Sequence, residues 1–266
     1  MRYFPRNYIY TTAFEFYTVR EEIINLSHPF LSIIIPAHNE ENRLPITLER
    51  IFSFLGEQSY ESEVIVVENG SEDRTAKVAS TFQVLHPNLF LIQESERGKG
   101  LAVKRGMLTA SGKYRFMCDA DLSMPIKEVN RFLPPQLENI DVAIGSREAE
   151  GAIRYNEPEY RHLGGRVVNF MIRSMAIPGI QDTQCGFKMF RDDIAEDLFE
   201  KQTLKNWSFD IEVLFIAQMR GYKITEVPIP WYFKAETKLS PIKDAVQMAI
   251  DMVNIRRNAL LGVYDR

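Results

Sequence analysis

The sequence predicts an α/β protein with a Rossmann-like, mostly parallel central sheet flanked by helices on both faces, and two observations carry that prediction. Short β-branched apolar runs alternate four times with polar loops and helix-period segments between residues 31 and 118, the pattern of strands joined by crossover helices. Each apolar run also ends in polar residues, as expected where ligands bind beyond the carboxyl ends of parallel strands.

Taken in order, Leu31-Ser32-Ile33-Ile34-Ile35 reads as the first strand, stopped by Pro36. Ala37 to Pro45 then forms a loop into a helix presenting Leu48, Ile51, Phe52 and Leu55 at helical spacing. The second strand, Glu63 to Val67, ends in Glu68-Asn69-Gly70-Ser71-Glu72-Asp73, and a helix runs from Thr75 to Phe82. The third, Leu89 to Ile92, leads to Arg97-Gly98-Lys99-Gly100 and a helix through Leu101, Val103 and Met107. The fourth, Tyr114 to Cys118, runs straight into Asp119-Ala120-Asp121. A further strand, Val142-Ala143-Ile144, is followed directly by Gly145-Ser146-Arg147.

Outside this domain, taken as residues 29–238, the chain reads as an extension over 1–28 and a C-terminal amphipathic helix over 239–266. The extension is rich in Tyr and Phe, and core packing, a homodimer contact and a membrane contact all account for it. In the C-terminal segment Ile242, Ala245, Val246, Ala249, Met252, Val253 and Leu260 follow helical spacing, flanked by Lys243, Arg256 and Arg257. Core packing and peripheral membrane contact both fit that pattern.

At 266 residues with 45% hydrophobic content the chain can bury a large core, and a net charge of −4 argues against a nucleic-acid partner. Cys118 and Cys185 stand in unrelated motifs without metal-type spacing, so both are expected as reduced thiols in a cytoplasmic protein. No apolar run reaches the length of a membrane span, which leaves a soluble or peripheral protein at the cytoplasmic face. Neither a Gly-x-Gly-x-x-Gly after the first strand nor a P-loop occurs, which disfavours dinucleotide and P-loop chemistry. The four histidines, His28, His38, His86 and His162, have no partner at metal spacing, and His38 reads as a hydrogen-bonding loop residue.

The pair that draws most attention is Asp119 and Asp121. In an extended segment residues two apart point the same way, so both carboxylates can face one ligand at the strand end. Two carboxylates without thiolate or imidazole suit Mg2+ or Mn2+, with open positions left for phosphate oxygens. A plain turn or helix cap is the alternative.

Several ordered stretches resemble the family 2 glycosyltransferases of the GT-A fold, and within them the dolichyl and polyprenyl-phosphate hexose synthases. They are Ser32 to Glu41, Val66 to Thr75, Arg97-Gly98-Lys99-Gly100, Asp119-Ala120-Asp121, Gly145-Ser146-Arg147, Asp182 to Lys188 and Trp207 to Glu212, which together span roughly residues 30–235. The later ones look most like the glucosyl branch. The resemblance implies that Pro36, Asn39, Glu40, Glu68, Asp73, Lys99, Asp119 and Ala120 line a nucleotide-sugar pocket and that Asp119 and Asp121 hold the metal on the diphosphate. Two departures stand out: Glu68-Asn69 replaces the family's usual Asp-Asp, leaving UDP versus GDP open, and Ser123 replaces the Gln that joins the metal in mannose synthases.

The activity so implied is inverting, metal-dependent transfer of a hexose, glucose from UDP-glucose, to a polyprenyl or dolichyl phosphate. Such an acceptor is already ionised and needs cations rather than a base, with Arg147, Arg161 and Arg166 as candidates. A sugar-hydroxyl acceptor would need a base, for which Asp182 and Asp210 are the candidates. The bland readings are that Asp182 turns its loop, Asp210 caps the helix through Val213 and Phe215, and Trp207 and Phe209 are core. The rival activities are the same fold with a soluble acceptor, GDP-mannose as donor, and a non-catalytic sugar-nucleotide-binding subunit.

Overall fold

The computed structural model describes residues 28–158, 171–173, 176–234 and 241–265. The predicted extension over 1–28, apart from its last residue, and the candidate cations Arg161 and Arg166 lie outside the described residues.

The first half is built as the sequence predicts. Strand β1 (Leu31–Ala37), helix α1 (Leu44–Gly56), β2 (Ser62–Asn69), α2 (Thr75–Leu85), β3 (Leu89–Glu94), α3 (Lys99–Thr109) and β4 (Tyr114–Cys118) follow one another. A 3-10 segment (Ile126–Phe132) and β5 (Val142–Ser146) come next, then β6 (Ile153–Tyr155) and β7 (Phe187–Arg191). Helices α4 (Asp192–Lys201) and α5 (Phe209–Met219), strands β8 (Ile224–Pro228) and β9 (Pro230–Tyr232), and helix α6 (Pro241–Leu260) close the chain. Seven strands form one sheet in the order β3-β2-β1-β4-β7-β5-β8, parallel except for β7, and β6 pairs with β9 in a small second sheet.

The chain winds outward through β1, β2 and β3 and then returns to the other side of β1 with β4. The switch point therefore lies between β1 and β4, where the connections leave a crevice at the carboxyl ends. Alternate β1 residues feed two core layers: Leu31, Ile33 and Ile35 pack with Leu48 and Ile51 of α1, while Ile34 packs with Val103 and Met107 of α3. Burial on both faces explains why β1 is a continuous apolar run.

Three local readings are corrected. Pro36 does not stop β1 but lies inside it, paired with Val67; the ladder to β4 ends at Ile34, so one side of β1 is free there and tolerates a missing N–H. Pro45 is not in the loop but in the first turn of α1, where an N–H would lack a partner anyway. In α6 the packed stripe is Met248, Met252 and Ile255, whereas Val246 and Val253 are each 58% exposed and Leu260 is 89% exposed. The helix has two apolar stripes, and the longer Met and Ile side chains take the one facing α5. Its end is anchored by Tyr264, whose hydroxyl donates to buried Glu212 at 2.8 Å; the same carboxylate accepts from the Thr203 and Leu204 amides.

Candidate active site

Two cavities open at the carboxyl ends of the strands and meet at a shared wall. The first, of about 480 Å³, is lined by Pro36, Ala37 and His38 after β1, Asn69 of β2, Gly98 and Lys99 at the start of α3, and the turn Asp119-Ala120-Asp121. The second, of about 320 Å³, reaches Arg147 after β5, Gln184 and Gly186 before β7, Asp210 in α5 and Trp231 in β9. Lys99, Asp119, Asp121, Asn206 and Trp207 belong to both.

The Asp119–Asp121 pair owes its direction to a turn and not to strand alternation, since β4 ends at Cys118. The Leu122 amide donates to the Asp119 carbonyl at 3.3 Å and the Ser123 amide to Asp121 Oδ1 at 2.8 Å. Leu122 closes the turn at φ +46°, a conformation costly for a branched residue, and its side chain is buried in the first core layer. The hydroxyl of Thr47 in α1 donates to the Ala120 carbonyl at 2.6 Å, and Lys234 Nζ donates to the Asp121 carbonyl. The turn is thus held from α1, from the core and from the segment after β9.

Lys99 Nζ lies 2.7 Å from Asp119 Oδ1 and 4.8 Å from the centroid of the Trp207 ring. Burial pushes the Asp119 carboxyl up, but Lys99, followed by Lys188 and Arg147, outweighs it and holds the pKa below the usual value. Burial likewise disfavours the Lys99 ammonium, yet Asp119 and Asp210 raise its pKa overall. Both therefore stay charged at neutral pH.

The Asp119 carboxylate packs directly on the backbone of Gly186: a Cβ built there would fall 1.8 Å from Oδ2. A pair of carboxylates on the wall of both cavities fits a hard divalent ion. No cluster of three His, Cys, Asp or Glu occurs among the described residues, so the pair would leave positions to phosphate oxygens or water. Gly186→Ala should displace the Asp119 carboxylate and lower turnover about tenfold or more while the fold survives, since misplacement by about 1 Å carries costs of that order. Steady-state kinetics beside circular dichroism check this; unchanged turnover would show that the Asp119 position is not critical.

Of the expected nucleotide-pocket residues, Pro36, Glu40, Lys99, Asp119 and Ala120 line the first cavity. Asn39, Glu68 and Asp73 do not: they stitch the loops behind it. Asn39 accepts from the Glu72 amide at 2.9 Å, Glu68 from the Ser71 amide at 2.5 Å, and Asp73 from the Thr75 and Glu41 amides at 2.9 and 3.1 Å. Asn69 has a reason to be an amide, because its Nδ2 donates to the Glu96 carbonyl at 2.5 Å while its Oδ1 accepts from the Gly98 amide at 2.7 Å. A carboxylate could not make the first bond. His38 meets the Asn69 carbonyl at 2.7 Å through Nδ1, the loop role expected of it.

On the second side Arg147 is held by Asp182 through its Nε at 2.7 Å, its terminal nitrogen at 2.8 Å and its own amide at 2.9 Å. Its guanidinium also sits 5.4 Å from the centroid of Trp231. Asp182 is fully buried; burial would raise its pKa, but Arg147 outweighs that and lowers it to about 2. Fully buried, outside the lining of both cavities and with both oxygens bonded to Arg147, Asp182 is placed to position Arg147 and not to take a proton from an acceptor.

Asp210 does line the cavity but does not cap α5; Ser208 holds the cap position, and Lys188 Nζ lies 2.7 Å from Asp210 Oδ1. Burial raises the Asp210 pKa against the opposing pull of Lys188 and Lys99. Trp207, for which core packing is the bland alternative, is 43% exposed and forms part of both cavity walls, because it stands on the loop before α5 rather than in the helix; Phe209 is core, 1% exposed. Burial pushes the Cys185 thiol up to about 12, so it is inert.

Four contributors have no role assigned from the sequence: Gly186, Lys188, Lys234 and Trp231. Gly186 and Lys188 stand inside the stretch Asp182 to Lys188 that carries the resemblance, and Lys188 is also a charge in the middle of the apolar run Phe187-Lys188-Met189-Phe190.

Comparison with known proteins finds relatives of this chain in sequence and in fold. The profile of Glycosyl transferase family 2 matches residues 32–199. The dolichyl-phosphate beta-glucosyltransferase of Dictyostelium discoideum is 36% identical over 249 residues, covering 88% of this chain and 76% of that protein. The protein of the same name from Homo sapiens is 31% identical over 249 residues, covering 88% and 77%. Among solved structures, glucosyl-3-phosphoglycerate synthase from Mycobacterium tuberculosis in complex with Mn2+ and UDP-glucose superposes with a TM-score of 0.60 at 18% identity, covering 85% of this chain and 78% of that one. The predicted GT-A architecture is thus matched by an experimental fold.

Proposed function

The chain belongs to glycosyl transferase family 2, and from that membership we propose that it transfers glucose from UDP-glucose, with inversion, to a dolichyl or polyprenyl phosphate. One observation carries the reading: a carboxylate pair and a lysine stand in the wall common to two cavities, one large enough for a nucleotide and the other carrying an arginine. That is the arrangement a reaction between an anionic donor and an anionic acceptor requires.

In this reading the nucleotide diphosphate lies in the first cavity, and Asp119 and Asp121 would hold Mg2+ or Mn2+ upon it. The ion, when bound, neutralises charge growing on the departing diphosphate. Lys99, kept cationic by Asp119, adds a fixed positive charge at the same place. Arg147, locked by Asp182, presents its remaining N–H donors to the acceptor phosphate, which attacks from the face opposite the diphosphate. A phosphate nucleophile needs no base, in keeping with the burial of Asp182.

The outward stripe of α6, with Val246, Ile250, Val253 and Leu260 exposed, Leu261 exposed just after it and Arg256 and Arg257 beside them, supports peripheral contact with the cytoplasmic face of an anionic membrane. Among the described residues no helix is long and apolar enough to cross a membrane.

The test is turnover of a sugar-nucleotide panel with dolichyl phosphate in detergent, with Mn2+, Mg2+ or a chelator. Glucosyl lipid formed from UDP-glucose only when a divalent ion is present is the expected result. Turnover of soluble phosphorylated acceptors with none of the lipid would reject the acceptor assignment.

A further inference from the structure

The second cavity is not lined as a phosphate site alone would be. Apart from the Asp119–Asp121 pair and Arg147, its wall carries a further carboxylate, Asp210, the amides of Gln184, Asn206 and Gln247, and the exposed ring of Trp207. A carboxylate repels phosphate, but it accepts strong hydrogen bonds from hydroxyl groups. A flat aromatic face covers the C–H side of a ring that has little else to offer an apolar surface. Hydroxyl donors on one side and C–H bonds on the other describe a hexose.

The position fits as well. Trp207 stands in both walls, with its ring 4.8 Å from Lys99 Nζ, the group that contacts Asp119. The bond broken in the transfer joins the diphosphate to the sugar, so the sugar must lie where the two cavities meet.

Asp210 is also prepared for such a task. Its Oδ1 is buried and lies 2.7 Å from Lys188 Nζ, though outside hydrogen-bonding angles; Lys188, only 1% exposed, donates to the Cys185 carbonyl at 2.5 Å. No other described residue donates to that carboxylate, which leaves Oδ2 for the cavity. A buried lysine fixed by a backbone carbonyl on β7's approach holds the carboxylate in one orientation from beneath. In the transfer step described above neither Lys188 nor Asp210 touches the diphosphate or the acceptor phosphate; their part there is limited to their charge near Asp119 and Lys99.

We propose that Asp210 and Trp207 form the hexose subsite, Asp210 accepting hydrogen bonds from sugar hydroxyls and Trp207 covering the ring, with Lys188 as the positioning residue that orients Asp210. The proposal rests on the donor reading above and names which residues read the sugar.

The test compares UDP-glucose with its singly deoxygenated analogues on wild type, Asp210→Ala and Asp210→Asn, with UDP affinity measured in parallel by calorimetry. Sites built to bond a hydroxyl reject the analogue lacking it strongly. Wild type should therefore disfavour at least one deoxy donor by about 100-fold or more in kcat/KM. Asp210→Ala should lose most of that preference while its affinity for UDP stays within about twofold, because Asp210 lies outside the nucleotide cavity. Asp210→Asn keeps the shape if the Ala variant fails to fold, and should show the same trend to a smaller degree. Lys188→Met should likewise blunt the preference without altering UDP affinity. An equal loss on glucose and on every deoxy donor would overturn the proposal, since a base or a structural prop cannot distinguish them. Whether wild type turns over UDP-glucose at all judges the donor reading separately.

Discussion

Asp121→Ala should lower turnover by about 10³-fold while leaving the melting temperature within a few degrees of wild type. The first half follows from what the residue has left to do: it stands in both cavity walls, and no lysine or arginine side chain among the described residues pairs with its carboxylate. Its bond to the Ser123 amide is a single local contact, worth about 1 kcal/mol when lost. The turn meanwhile keeps its other supports, from Thr47, Leu122 and Lys234. Asp119→Ala offers a contrast, because it also strands the Lys99 ammonium in a largely buried position and should destabilise the fold as well as silence it. A thermal-shift titration with Mn2+ and UDP separates metal loss from misfolding: wild type should be stabilised by the ion and Asp121→Ala should not. Turnover retained in Asp121→Ala would overturn the metal assignment.

How far the sequence reached depended on whether a signal was local. The strands from β1 to β4 were legible because each is a β-branched run bounded by polar residues, and β4 matches its expected limits, Tyr114 to Cys118. Pro36 misled because the rule that proline ends a strand fails where the neighbouring ladder has already ended. The α6 stripe misled because periodicity finds apolar faces without saying which one meets the core, and this helix has two.

At the site, residues that touch the cavities through strand-end position, such as Lys99, Asp119 and Arg147, were readable. Asn39, Glu68 and Asp73 share those loops but turn to bond neighbouring amides, a choice fixed by loop geometry. Gly186 falls inside the stretch Asp182 to Lys188, but its role was not legible, since its importance is an absence of atoms next to a residue 67 positions away in sequence. Asp182 and Arg147 are 35 positions apart, and the pairing of β5 with β7, together with Glu226 of β8 accepting from the Asp182 amide at 3.0 Å, brings their segments together.

That pair supports a second large effect, on stability and on acceptor binding together. Asp182→Ala leaves the Arg147 guanidinium largely buried without its carboxylate, and breaking one side of a buried pair costs about 3–5 kcal/mol. The pH dependence has a definite sign. Asp182 falls from an ordinary 3.8 to about 2 in the folded chain, so the pair's stabilisation is present above pH 3.8 and is lost as pH drops toward 2. That shift corresponds to about 2 kcal/mol, and acid unfolding of wild type should steepen within this window while Asp182→Ala shows no such component. Stability alone does not establish that Arg147 binds acceptor, so the double replacement Arg147→Met with Asp182→Leu is the sharper measurement. Filling the site with apolar side chains should restore most of the lost stability. It should leave the KM for the phosphate acceptor raised at least about tenfold and the KM for the nucleotide sugar unchanged, because Arg147 lines only the second cavity. A double variant that regains both stability and acceptor affinity would reduce the pair to a structural strut and move the acceptor phosphate elsewhere.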